Sequence, residues 1–259
     1  MTQPLNFHSI EELGLFVRDR FLIYLRDECG DGNGEIEYCL TQPQFVAPFV
    51  FGSYNYHNEW AKDCDICLVL SASLITLFSK VFSERELSGW YYQGMPIDIK
   101  TCVFGDLDAI EIIEWKWATE NDVSCYIPMR IKVSHNSMSF SSVQMAMDME
   151  LADKAFIRRS VSQKCSNSFV KAKKKLTVEK DYDRYSSLKS LFHSIRISTF
   201  AYQYGKKGKI EIDSCINLYK EICDDYENHT DEELLELIGD KYKKKYNERL
   251  RLFRLFYPK

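Results

Sequence analysis

Asp63-Cys64-Asp65 places two carboxylates two residues apart at the head of an apolar run, Ile66-Cys67-Leu68-Val69-Leu70. The run predicts a β-strand, and side chains two apart on a strand point to one face. Like charges held side by side repel unless something neutralises them. A divalent cation does so, and hard carboxylate oxygens suit Mg²⁺ or Mn²⁺. A further acid, Asp98, stands between Ile97 and Ile99 in a second strand-like run over 96–104. Its neighbours would face a core while its carboxylate faces the other way. Three carboxylates converging from two strands support a two-metal site, in which one metal activates a hydroxyl and the other holds a triphosphate. Asp98 is also placed to accept the hydroxyl proton. Upstream, a strand-like run over 44–51 ends at Gly52-Ser53. Glycine lets a ligand approach the backbone closely, and the N–H groups of such a turn, with the Ser53 hydroxyl, bind phosphate oxygens.

Each piece also has a plain reading. Asp63 and Asp65 alone would pass for solvated acids at a strand start. Asp106 and Asp108 form a second Asp-x-Asp after Gly105. They read as a turn and stand as reserve candidates for the third acid. Cys64 and Cys67 have zinc-like spacing, but no second Cys or His pair sits at a suitable distance, so buried thiols are expected. His57 reads as a loop residue that touches substrate or does nothing. His193 reads as a packed or capping histidine.

The ordered set Gly52-Ser53, Asp63-x-Asp65 and a later lone Asp98 between apolar residues resembles the signature of DNA polymerase β-like nucleotidyltransferases. The resemblance covers residues 45–105. It implies an α+β fold: a small mixed β-sheet core with flanking helices, followed by an α-helical C-terminal domain that closes over the nucleotide. It implies transfer of a nucleoside monophosphate from an NTP to an acceptor hydroxyl, with pyrophosphate released and Mg²⁺ or Mn²⁺ as cofactor. The acceptor stays open: an RNA or tRNA end, a small molecule, a protein side chain or another nucleotide. A lysine of the helical part often contacts the triphosphate in that superfamily. Lys171, Lys175 and Lys189 are the candidates here.

The elements that must hold these residues follow from periodicity. Ser9 and Glu12 have capping-box spacing, and apolar residues from Leu13 to Leu25 predict a helix over 10–28. Residues 72–92 read as a helix with Leu74, Leu77, Phe78, Val81 and Phe82 on one stripe. Residues 109–117 fit either strand or helix. Residues 125–133 read as a strand near an edge, and 143–159 as a helix. Helices are expected over 169–176, 185–204, 212–225 and 230–256, with Gly205-Lys206-Lys207-Gly208 as a connector. The expected domains are 1–160, the catalytic core, and 161–259, the helical part.

Bulk properties narrow the classes. The net charge is −4 over 259 residues, with no global basic signature. No window approaches the apolar length of a membrane span, so no membrane partner is expected. Nine scattered cysteines and no secretion-like start predict reduced thiols and a cytoplasmic setting. Two rival functions stay open. One is an inactive copy of the fold serving as a binding or antitoxin module. The other is an RNA-binding adaptor using the basic stretch Lys241–Lys245 with Arg249, Arg251 and Arg254.

Overall fold

The computed structural model describes residues 16–17, 19–21, 23–24, 27, 46–51, 64–70, 86–92, 94–103, 107–120 and 148–258. The chain divides into two compact units, Met1–Leu107 with Glu114–Asp148, and Asp108–Ile113 with Met149–Lys259. The fold is α+β.

Among the described residues the first unit holds four strands, β1 (Val46–Phe51), β2 (Cys64–Leu70), β3 (Glu86–Tyr92) and β4 (Met95–Val103). Their order across the sheet is β1-β2-β4-β3. β1 is antiparallel to β2, β2 runs parallel to β4, and β3 is antiparallel to β4. The sheet is therefore mixed. The expected strands at 44–51, 63–70 and 96–104 are present as β1, β2 and β4, the last beginning one residue earlier. The described residues between 16 and 27 are helical, and Val17 and Phe21 are buried.

Residues 86–92 correct the helix expected through 72–92. The helical stripe stops at Phe82, and Trp90-Tyr91-Tyr92 are aromatic residues that pack well on a pleated surface. Tyr92 pairs with Met95 across a two-residue turn, and Gly94 sits there at φ 84°. Only glycine takes that angle without strain. Residues 125–133, 143–147 and 71–85 lie outside the described residues.

The ambiguous segment at 109–117 is helix α1 (Ala109–Glu120). Asp108 starts it: Oδ1 accepts the N–H groups of Ile110 and Glu111 at 2.9 and 3.0 Å, and Glu111 accepts from the Asp108 N–H at 2.9 Å. This reciprocal cap fixes the first turn. Residues 109–114 are all buried, so no polar face breaks the run into a helical pattern.

The second unit is helical. α2 (Lys154–Thr177) begins at Asp153, whose carboxylate accepts from Ala155 and Phe156. That cap interrupts the helix expected across 143–159. It also puts residue 160, the expected domain boundary, inside a continuous helix. α2 buries Ile157, Val161, Cys165, Phe169, Ala172 and Leu176 along one stripe. α3 (Arg184–Lys207) is the central element and is buried on most of its circumference from Ser187 to Gln203. Its serines suit that role because they are small and bond locally. Ser187 Oγ donates to the Ala172 carbonyl at 2.7 Å, and Ser194 and Ser198 donate three residues back. The connector at 205–208 shrinks to Gly208, which ends α3 at φ 70°. Gly205 lies inside the helix, where a Cβ would stand 2.8 Å from Phe256 Cβ and 2.9 Å from the Tyr257 ring.

α4 (Ile216–Asn228), α5 (Asp231–Leu237) and α6 (Lys243–Phe256) follow, with a π turn at Ile238–Tyr242 joining the last two. Thr230 and Glu233 form the capping box their spacing predicts. Arg184 ties the start of α3 to this corner through the carbonyls of Tyr226 and His229, each at 2.5 Å, and through the Asp231 carboxylate. Among the described residues no helix is long and apolar enough to cross a membrane.

Candidate functional site

Asp65 on β2 is the register partner of Asp98 on β4. Adjacent strands run about 4.8 Å apart, and directly paired residues of a parallel ladder share a face. Ile97 and Ile99, one step either side of Asp98, are 0% and 1% exposed. Asp65 and Asp98 are both half-exposed. Alternation therefore sends the isoleucines into the core and sets two carboxylates side by side on the opposite face. On the other side of β2, Asp65 pairs with Phe51, the last residue of β1 before Gly52 in sequence. Gly52, Ser53 and Asp63 lie outside the described residues.

Two register-matched carboxylates form a hard, anionic donor set, which fits Mg²⁺ or Mn²⁺ and suits a softer metal poorly. Among the described residues no group of three or more His, Cys, Asp or Glu side chains stands together. Asp63, the remaining carboxylate of the set, is not among them.

Asp108 leaves the list of reserve acids. One of its oxygens caps α1 and the other pairs with Lys164. Both are thus committed to holding the α1 start against α2, where Ser160 also accepts the Ala109 N–H at 3.0 Å. Asp106 lies outside the described residues, as does His57.

Two of the three candidate lysines, Lys171 and Lys189, sit in one electrostatic neighbourhood. His193 on α3, half-buried, feels the charges of Lys164 and Lys171 of α2 and of Lys189 and Arg196 of α3. Burial first, and then Arg196, Lys164, Lys189 and Lys171 in turn, hold the imidazole well below its usual range, so it is neutral at pH 7. The sequence reading of His193 as a packed residue omits these cations. Spacing signals it: Lys164 and Lys171 are seven apart, and Lys189, His193 and Arg196 follow at four and three, each set on one helix face. Lys164 also lies 3.5 Å from Glu111. Lys189 packs over the Tyr185 ring at 5.4 Å. Lys175 stands apart from this group, close to Asp181 and Asp183.

The basic stretch at 241–245 is partly spoken for. Lys241 bonds Asp225 at 2.6 Å and Glu221 at 2.9 Å, Lys245 bonds Glu221 at 2.5 Å, and Tyr242 donates to Asp225 at 2.6 Å. These contacts join α4 to the π turn and to the first turn of α6. Cys165, Cys215 and Cys223 are free thiols.

No family model and no curated protein matches this sequence. One similar solved structure is the nucleotidyltransferase-like protein from Exiguobacterium sibiricum 255-15, 8% identical over 85% of this chain and 74% of that chain, with a TM-score of 0.32.

Proposed function

We propose that the chain is a metal-dependent, template-independent nucleotidyltransferase that moves a nucleoside monophosphate from an NTP to an acceptor hydroxyl. The observation that carries this reading is the direct pairing of Asp65 with Asp98 on one face of parallel strands. Sequence neighbours Asp63 and Gly52-Ser53 complete the set of groups such a reaction needs. Bound Mg²⁺ or Mn²⁺ would neutralise triphosphate charge and acidify the acceptor hydroxyl. The residues have distinct tasks. Asp63, Asp65 and Asp98 hold the cation, and Asp98 takes the hydroxyl proton. Gly52 and Ser53 bind distal phosphates through N–H and O–H donors. Lys171, Lys175 and Lys189 are the proposed phosphate-binding cations, two of them, Lys171 and Lys189, being electrostatic neighbours of His193.

The test is transfer from each labelled NTP with Mg²⁺ or Mn²⁺, offering RNA, small-molecule and protein acceptors. Wild-type protein should label one acceptor class and release pyrophosphate. Asp63→Ala with Asp65→Ala should abolish transfer while circular dichroism stays unchanged. Transfer at the wild-type rate in that variant would overturn the proposal. Ser53→Ala should weaken NTP binding by calorimetry, and unchanged affinity would remove Ser53 from the site.

A further inference from the structure

α2 carries eight Lys and Arg residues and no Asp or Glu along 24 residues. α6 carries six Lys and Arg and one acid, Glu248. These two helices thus hold 14 of the chain's 34 cations and one of its 38 carboxylates, which leaves 20 against 37 elsewhere. A protein with a net charge of −4 has segregated its positive charge onto two elements.

The two helices are neighbours. Both pack on α3. Phe169 of α2 stacks on Tyr246 of α6 with ring centroids 4.6 Å apart. Arg158, near the start of α2, donates to the carbonyl of Tyr257, just past the end of α6. The start of one helix therefore meets the end of the other, so they run antiparallel. Cations line this seam. Lys173 lies 5.5 Å from the Phe169 ring, and Arg254 is an electrostatic neighbour of both Cys165 and Tyr246. Lys243 and Arg249 stand three residues either side of Tyr246.

Carboxylates of neighbouring segments pair with Lys164, Lys174, Lys244 and Lys245. Among the described residues the other ten cations of the two helices make no close ion pair, though Lys175 feels the Asp181 and Asp183 carboxylates. Like charges at this density repel, so the arrangement costs stability unless a polyanion relieves it. Helix α2 alone extends about 36 Å, longer than any mononucleotide needs.

We propose that the α2–α6 seam is a binding surface for a phosphodiester backbone, RNA or DNA. A lipid surface is the lesser match. It needs apolar side chains presented beside the charges. The large exposed apolar residues on these helices are Val170 and Leu255. The surface belongs to the second unit and stands whether or not Asp65 and Asp98 serve a nucleotidyl transfer.

The test is fluorescence anisotropy with labelled single-stranded RNA, its DNA counterpart and the duplex form, over a salt series. Wild-type protein should bind at least one of them, with log K falling linearly against log salt. The variant Lys173→Gln, Lys243→Gln, Arg249→Gln and Arg254→Gln should bind about tenfold more weakly or worse on a single strand, with the salt slope shallower by about 3, at roughly 0.7 per lost phosphate contact. Replacing the three arginine and lysine positions Lys173, Arg249 and Arg254 with the alternative cation (Lys173→Arg, Arg249→Lys, Arg254→Lys) should keep the slope. Lys180→Gln, Lys209→Gln and Lys220→Gln, off the two helices, should bind as wild type. Salt-insensitive or absent binding, an equal loss in the off-helix variant, or tighter binding to phosphatidylserine vesicles than to any nucleic acid would overturn the proposal. The readout needs no NTP and no metal, so failure here is separable from failure of the transferase reading.

Discussion

Asp98→Asn separates metal binding from folding. The register pairing sets Asp65 and Asp98 side by side on one face of adjacent strands that run about 4.8 Å apart. Two unit charges at that distance repel by about 0.8 kcal/mol in water and about 3 kcal/mol at an effective dielectric of 20. Both groups are half-exposed and screened by salt, which places the net cost near 1 kcal/mol. Asparagine keeps the shape and removes one charge. In EDTA the variant should therefore melt about 2–4 °C above wild type. Metal reverses the order. At ten times its dissociation constant a cation bound only to the native state adds about 1.4 kcal/mol to wild type. The variant, with a weaker donor set, should gain less. Differential scanning fluorimetry across a Mn²⁺ series shows the crossing directly. The reasoning fails if the variant melts at or below wild type in EDTA and both proteins then shift equally with metal.

Gly205→Ala gains helix propensity but drives a methyl group into Phe256 Cβ and the Tyr257 ring. Overpacking of this kind costs about 1–3 kcal/mol and should outweigh the gain, visible as a lower urea midpoint. Asp108→Ala should cost about 1–2 kcal/mol through the lost cap on α1, with the Lys164 ion pair lost as well. Burial opposes ionisation of Asp225, but hydrogen bonds from Lys241 and Tyr242 outweigh it and hold its carboxyl below the usual range. A depressed folded-state pKa stabilises above the unfolded value and is lost as pH falls through the folded one. Acid titration should thus weaken wild type below about pH 4, and Asp225→Asn should flatten that limb. Burial pushes the Cys165 thiol up to about 12, so iodoacetamide should leave it unlabelled by mass spectrometry until the protein is denatured.

Period-2 patterns were legible wherever one face of a strand is buried and the other is not. Ile97-Asp98-Ile99 shows why: the alternation that identifies the strand also aims the acid. The pairing of Asp65 with Asp98 was not readable, because register depends on which strands become neighbours, and the chain between β2 and β4 carries β3 to the outer edge. α1 hid for the opposite reason. Its first six residues are all buried, Glu111 and Glu114 included, so its pattern is continuous. The His193 neighbourhood was missed because its members come from two helices. Each contributes an ordinary-looking heptad spacing, and only packing brings the four charges to bear on one ring. Charge counting over the whole chain concealed the α2–α6 seam, since an acidic remainder cancels it.

The hydrogen bond from Arg158 to the Tyr257 carbonyl joins positions 99 residues apart. A polypeptide growing at about 5–20 residues per second needs about 5–20 s to travel that distance. Throughout this interval α2 and α3 can pair, since they are joined by a short turn. The side of α3 that packs on α6 has no occupant yet. A nascent helical pair with one greasy flank open is a natural client for chaperones. During synthesis the segments of the second unit therefore become available in one order: the α2–α3 pair first, the α4–α5 corner clamped by Arg184 next, and α6 last as the closing stave.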